Sequence, residues 1–441
     1  MADLTSRFIG IQSPNPFWLA SAPPTDKAYN VHRAFEAGWG GVVWKTLGEE
    51  GPPIVNVSGP RYGALRGIDG RVLGFNNIEL ITDRPLRVNL QEIREVKRLW
   101  PDRAMVVSLM VPCEERAWKA VLPMVEDTGA DGVELNFGCP HGMSERGMGA
   151  AVGQVPEYIQ MVTAWCKEAS RLPVIVKLTP NITDIRHPAR AAKAGGADAV
   201  SLINTVSSIM GVDLDRMTMS PAVGGMGSHG GYCGPAVKPI ALNMVAEIGR
   251  DAATRGLPIS GIGGITTWRD AAEYLALGCG NVQVCTAAMV YGFKIVQDMI
   301  DGLSTYMDDK GYATIEAFRG KALPSVTDWQ HLDLAYTEKA VIEQSLCIQC
   351  GRCHIACEDT SHQAITASKD GRRHFEIKED ECVGCNLCVN VCPVPQCITM
   401  RTVAPGQMDL RTGTPVQAGP LPWTQHHNNP LRQTSALSDP A

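Results

Sequence analysis

Residues 132–149 read "GVELNFGCPHGMSERGMG". The first seven form an apolar run that turns polar at Asn136, and Cys139-Pro140 then opens a loop with glycines at 142, 147 and 149. The amphipathic stretch "EYIQMVTAWCKEAS" (157–170) follows at helix length. A short buried strand, a loop and an amphipathic helix make one β-α unit of a parallel sheet.

Working outward, the same pattern recurs along the chain. The other apolar runs are "FWLASAP" (17–23), "GVVWKT" (41–46), "AMVVSLM" (104–110), "PVIVKLT" (173–179), "AVSLINT" (199–205), "PISGIGG" (258–264) and "NVQVCTA" (281–287). Between them lie helical patterns such as "VHRAFEAG" (31–38), "IRHPARAAKAGG" (185–196) and "WRDAAEYLALG" (268–278). Eight such units predict an α/β chain built on a closed (β/α)8 TIM barrel. Two intervals, 47–88 and 206–234, are too long for a loop and a helix. Each follows a strand, so both insertions belong to the face on which barrels build their active sites.

The strand ends carry the chemistry. In order they offer Ser21, Lys45 with Thr46, Asn136 near Cys139, Lys177, Asn204 with Thr205, Gly263 with Gly264, and Thr286. A rim designed only for packing has no use for two lysines and two asparagines. Lysine suits negative charge, carboxamides supply paired donors and acceptors, and glycines let backbone approach phosphate. A flavin mononucleotide (FMN) answers to that set.

With 441 residues, 44% of them hydrophobic, the chain can fill a large core and carry a second module. The start "MADLTSRFIGIQSPNPF" has no secretory apolar core, and no apolar run nears the roughly 20 residues of a membrane span. A net charge of -6 without a basic stripe argues against a nucleic-acid surface. Fifteen cysteines in such a chain point to thiols and metal ligands in a reducing compartment, the cytoplasm. Nine of them fall between 347 and 397. That clustering divides the chain into a barrel over 1–330, a cysteine-rich module over 331–400 and a Pro-rich, extended or disordered tail over 401–441.

Within the module, Cys347, Cys350, Cys353 and Cys357 stand at C-x2-C-x2-C-x3-C, and Cys382, Cys385, Cys388 and Cys392, followed by Pro393, repeat the spacing. Such a pair describes a ferredoxin-like fold with two [4Fe-4S] clusters, in which the fourth cysteine of each motif serves the other motif's cluster. Cluster one then takes Cys347, Cys350, Cys353 and Cys392; cluster two takes Cys382, Cys385, Cys388 and Cys357. Zinc more often uses two separated C-x2-C pairs. Cys397 is left over, and Cys113, Cys166, Cys233 and Cys279 read as structural or surface thiols. "GIGGI" (261–265) lacks the G-x-G-x-x-G spacing of a dinucleotide site.

Taken with "NPFWLASAPPT" (15–25), "RAFEAGWG" (33–40), "FNNIEL" (75–80), "KLTPNITDI" (177–185) and "AAKAGGADAVSLINTVS" (191–207), the 132–149 stretch resembles dihydropyrimidine dehydrogenases over residues 1 to about 400. In length the chain is similar to the FMN and iron–sulfur catalytic subunit of the bacterial two-subunit form. Dihydroorotate dehydrogenases, wider relatives, share the flavin barrel. The resemblance implies FMN contacts at Ser21, Lys45, Thr46, Lys177, Gly234, Gly263, Gly264, Cys285 and Thr286. It implies a pyrimidine, uracil or thymine, among Asn77, Asn136, Asn204 and Thr205, and a general acid at Cys139 that protonates C5 while hydride reaches C6. Gly138 departs from the animal enzymes, which have serine there. Glu79 resembles a position near the substrate loop, and His229 suits a solvated loop as well as a lid.

The expected activity is reduction of the 5,6 double bond. Electrons are expected from a separate FAD- and NAD(P)H-binding iron–sulfur subunit in a hetero-oligomer, because the chain carries no nicotinamide fingerprint. Two other functions remain open on these residues: a dihydroorotate-type dehydrogenase, which needs a further cation beside its substrate, and an electron-carrier subunit with a silent barrel. Glycines at 142, 147 and 149, without bulky anchors, imply a loop that opens and closes over Cys139.

Overall fold

A computed structural model describes residues 2–51, 53–143, 146–334, 336–368 and 373–403. Residues 404–441, the greater part of the expected tail, lie outside the described residues. The chain divides into two compact units, Met1–Val326 and Thr327–Ala441.

The first unit is a closed barrel of eight parallel strands: β1 (Phe17–Leu19), β2 (Gly41–Leu47), β3 (Ala104–Leu109), β4 (Gly132–Asn136), β5 (Val174–Lys177), β6 (Ala199–Leu202), β7 (Ile259–Ile262) and β8 (Asn281–Val284). Each pairs with its neighbours in chain order, and β8 closes on β1 with Val282 opposite Phe17. The strands stop sooner than their apolar runs. Ser21, Asn204 and Gly263 therefore stand in the loops just past strand ends, and Thr286 opens the helix that follows β8.

Alternation along the strands sorts side chains to two faces. Phe17, Leu19, Val42, Trp44, Met105, Val107, Val133 and Leu135 face outward and join the main core with helices such as Ala28–Ala37, Pro156–Ala169 and Trp268–Ala276. Residues of the opposite parity fill the barrel. Near its amino end Trp18, Val43, Val106, Ile175 and Ala199 form an apolar layer, plugged by Phe8 and Ile11 of the hairpin Ser6–Ser13. One pleat further along, the same inward parity brings Lys45, Ser108, Lys177 and Ser201, all buried. The barrel thus changes from dry floor to polar mouth within two residues of each strand.

The two insertions are one structure. Tyr62–Arg66 and Val72–Asn77 from the first pair with Gly230–Cys233 and Val206–Ser208 from the second, giving a four-stranded antiparallel sheet. Asn77 lies opposite Gly231, and Gly231 opposite Ser207. A Cβ on Gly231 would meet Thr205 Oγ1 at 2.1 Å, so glycine is needed for this sheet to lie on the β6 loop.

In the second unit Glu338–Ile342 pairs antiparallel with Ile398–Thr402, and Ile365–Ala367 with Phe375–Ile377. Short helices Arg352–Glu358 and Leu387–Val391 each follow a C-x2-C turn. Among the described residues of the chain, no helix is long and apolar enough to cross a membrane.

Candidate active site

A cavity of about 540 Å³ opens at the carboxyl ends of the strands. Every residue that the resemblance assigns to flavin, pyrimidine or proton transfer lines it. Lys45, Asn136 and Lys177 reach it because they are the last inward-facing residues of β2, β4 and β5. Asn77 and Gly234 arrive from the two insertions.

The polar rim is tied together before any ligand arrives. Ser21 Oγ lies 3.0 Å from Thr46 Oγ1, Asn136 Nδ2 donates to Thr46 Oγ1 at 3.0 Å, and Asn204 Nδ2 donates to Asn136 Oδ1 at 2.9 Å. The Thr205 amide donates to Asn204 Oδ1 at 2.7 Å, and Gly138 N to Asn136 Oδ1 at 3.2 Å. Gly138 has a spatial reason as well, since a Cβ there would meet Asn204 Cβ at 2.4 Å. Asn77 is fixed from the sheet, its Nδ2 donating to Gly231 O at 3.0 Å.

Cys139 lies at the wall, buried, with Sγ 3.5 Å from the His141 carbonyl. Burial pushes its thiol up, opposed more weakly by the His141 hydrogen bond and by Lys177, so the group stays protonated. The loop after it differs from the expectation of a loop without bulky anchors. Met143 and Met148 are buried and pack with Cys139, Ile81 and Met110 in a small apolar cluster. Gly149 (φ +57°) turns the chain back so closely that a Cβ would stand 2.9 Å from Cys139 O. The glycines thus bend a loop that two methionines hold down.

Opposite this wall lies a backbone cradle. Gly263, Gly264 and Gly234 line it beside Thr286, the first residue of the helix Thr286–Tyr291. Gly264 (φ +69°) admits no side chain, because a Cβ would meet Lys238 N at 2.8 Å and Gly234 O at 3.0 Å. First-turn N–H groups have no partner within their own helix and suit an anion.

Two buried lysines supply positive charge. Lys45 Nζ sits 2.8 Å from Glu79 Oε1 and 3.6 Å from Asp26 Oδ2, and Arg61 reaches Glu79 Oε2 at 3.0 Å. Lys177 Nζ lies 3.5 Å from Glu134 Oε1. No arginine lines the cavity among the described residues. Two lining atoms, Gln283 Oε1 and Tyr232 Oη, are buried without a partner in the described chain. Lysines, carboxamides, orphaned polar atoms and a glycine cradle together fit a flavin mononucleotide with room for a small planar ring.

Several lining residues escaped the reading of the sequence. Cys233, assigned there to structural or surface thiols, lines the cavity together with Cys285, which was expected there as a flavin contact and whose thiol burial pushes up to about 12. Glu79 is a lining residue paired to Lys45. His141 lines the cavity with Nε2 3.0 Å from Glu79 O, and its place in the 132–149 loop could have announced it. His229 is exposed, with Nε2 3.2 Å from Pro140 O, so it leans on the Cys139 loop from outside.

The second unit groups its cysteines around two smaller cavities. Cys347, Cys350, Cys353 and Cys392 ring one, together with buried Cys397. Cys357, Cys382, Cys385 and Cys388 ring the other. Among the described residues no three His, Cys, Asp or Glu side chains converge tightly enough to hold a single ion. Four thiols around a cavity are the donor set of a [4Fe-4S] cluster.

Residues 4–307 match the dihydroorotate dehydrogenase family, and residues 340–400 match the 4Fe-4S dicluster domain. The chain is 42% identical over 392 residues to the NAD-dependent dihydropyrimidine dehydrogenase subunit PreA of Escherichia coli (strain K12), covering 89% of this chain and 94% of that one. It is 41% identical over 350 residues to the chloroplastic dihydropyrimidine dehydrogenase (NADP(+)) of Arabidopsis thaliana, covering 78% and 82%. Against the catalytic subunit of dihydroorotate dehydrogenase B (NAD(+)) of Pyrococcus abyssi the identity is 35% over 326 residues, covering 73% and 99%.

Proposed function

The chain belongs to the dihydroorotate dehydrogenase family as an oxidoreductase of the dihydropyrimidine dehydrogenase type, and from that premise we propose that it reduces the 5,6 double bond of uracil or thymine. The observation that carries this reading is Cys139: a thiol kept protonated by burial, on the wall that also presents the Asn136–Asn204 pair. A pyrimidine ring alternates carbonyls and N–H groups along its edge, and carboxamides answer both. Asn77, Asn136, Asn204 and Thr205 bind and orient it.

Bound FMN supplies the hydride that C6 receives, and two [4Fe-4S] clusters supply electrons one at a time. Ser21, Lys45, Thr46, Lys177, Gly234, Gly263, Gly264, Cys285 and Thr286 would hold the flavin, and the two cysteine quartets the clusters. Cys139 gives its proton to C5, and its thiolate recovers one from solvent when the loop opens. Met143 and Met148 seal the closed loop and keep water from the reacting carbons. Electrons come from a partner subunit that binds FAD and NAD(P)H, so the working form is a hetero-oligomer in the reducing cytoplasm.

A dihydroorotate-type reaction is the less favoured reading, since a carboxylated ring calls for an uncompensated cation, whereas both lysines lining the cavity already face carboxylates, Lys45 with Glu79 and Lys177 with Glu134, and no arginine lines it among the described residues. Anaerobically reduced holoprotein should be reoxidised rapidly by uracil or thymine and slowly by orotate. Preference for orotate would overturn the proposal, and reoxidation by none of the three would mark the barrel as silent.

A further inference from the structure

Glu134 is a fully buried acid inside the barrel, one pleat below Asn136, and nothing in the chemistry above uses it. One of its oxygens is satisfied: Oε2 accepts from Ser201 Oγ at 2.8 Å and from Gln283 Nε2 at 3.2 Å. Gln283 is itself steadied, donating to Ser260 Oγ at 3.0 Å. The other oxygen, Oε1, has no hydrogen-bond partner in the described chain, and Lys177 Nζ stands 3.5 Å from it. Donors on β6 and β8 thus fix the carboxyl group so that its second oxygen faces the lysine on β5.

Burying an ion pair costs several kcal/mol per ion before attraction offsets it. The layer beneath, Val43, Val106, Ile175 and Ala199, avoids that cost with apolar side chains. Lys45 is balanced differently, by Asp26 and Glu79, which lie outside the barrel strands. Lys177 is balanced from inside the barrel alone, where solvent cannot screen the pair.

We propose that Glu134 is a positioning residue that holds and charge-balances the Lys177 ammonium, and so sets how strongly the cavity prefers reduced over oxidised flavin. This rests on the flavin reading of the cavity. The sign follows from charge. Reduced flavin is the more negative form, so leaving Lys177 uncompensated favours it and raises the flavin potential.

The test is a redox titration of holoprotein, following the flavin spectrum. Glu134→Gln should favour the reduced form about tenfold, a rise of about 30 mV for a two-electron couple. Lys177→Met should lower the potential, and adding Glu134→Gln to it should raise the potential by clearly less than the same change does in the parent, because Glu134 acts largely by holding that ammonium in place. Glu134→Asp, which keeps the charge but draws it back by one methylene, should give a smaller rise and serves if the glutamine variant fails to fold. An unchanged potential in whichever Glu134 variant folds, or additive shifts in the double variant, would overturn the inference. Parent protein without flavin would instead overturn the cofactor reading on which it rests.

Discussion

Asn204 donates from Nδ2 to the Asn136 side-chain oxygen at 2.9 Å, joining two residues 68 positions apart. One closes β4 and the other follows β6, so the contact crosses the end of β5, where Lys177 stands. The two carboxamides proposed to read the substrate are thereby oriented by each other, and each one's conformation depends on its partner.

Removing one should therefore disturb both. Asn204→Ala strips Asn136 of this donor and is expected to raise KM for uracil by roughly 10–100-fold, the scale of one or two lost hydrogen bonds, at about 1.4 kcal/mol per tenfold. Flavin content should stay at the parental level. Saturation curves and the flavin spectrum check both statements.

Gly138→Ala tests the same contact from the backbone side. Its new Cβ would stand 2.4 Å from Asn204 Cβ, so that side chain must move. The expected cost is about 1–3 kcal/mol of stability with a raised KM. Denaturant unfolding and steady-state kinetics decide it; a parental KM would show that Asn204 does not need its present position.

Cys139→Ala should lower turnover by about 10²–10⁴-fold, the usual loss for a general acid, with flavin and substrate binding nearly intact. Cys139→Ser should also be poor, since a hydroxyl is a far weaker acid than a thiol. The direction of its pKa shift adds a pH dependence. Burial raises the thiol pKa, so the proton-donating form persists through the ordinary thiol range near 8.5, and kcat should stay level there and fall only at higher pH. Loss of kcat at or below pH 8.5 contradicts the assignment.

Protein purified without oxygen should hold one flavin mononucleotide with about eight irons and about eight sulfides. Cys388→Ala, which opens the ring around the second cysteine cavity, should remove about four irons and leave the flavin. Iron, sulfide and zinc analysis settles this, with stoichiometric zinc and no acid-labile sulfide as the contrary result.

What the sequence disclosed, and what it withheld, follow from the range of the interactions. The eight strands are legible because burial on both faces is written locally, in short runs with few polar residues. Lys45, Asn136, Lys177 and Asn204 stand out because they break those runs at their carboxyl ends. Glu134 breaks its run too, and the alternation that turns Asn136 inward turns it inward as well. Its partner Lys177 lies on the next strand, a pairing that only register reveals. Cys233 gives no local sign of its place at the cavity, which depends on Gly230–Cys233 pairing with Val72–Asn77 across the barrel mouth. Nor does composition show that Met143 and Met148 pin the Cys139 loop, since methionine in a glycine-rich stretch serves equally well in solvent.

The sheet over the barrel mouth has a consequence for how the chain comes to exist. Asn77 must find Gly231, 154 residues later, and the strands between them must already be assembled for the two to meet. Loops of that span form late, after local contacts have repaid their closure entropy. On a ribosome adding about 5–20 residues per second, the hairpin Tyr62–Asn77 waits about 8–30 s with an unpaired edge that another nascent chain could use. Synthesis halted before residue 230 would leave this edge permanently open, and such fragments should associate through Val72–Asn77 where the whole chain does not.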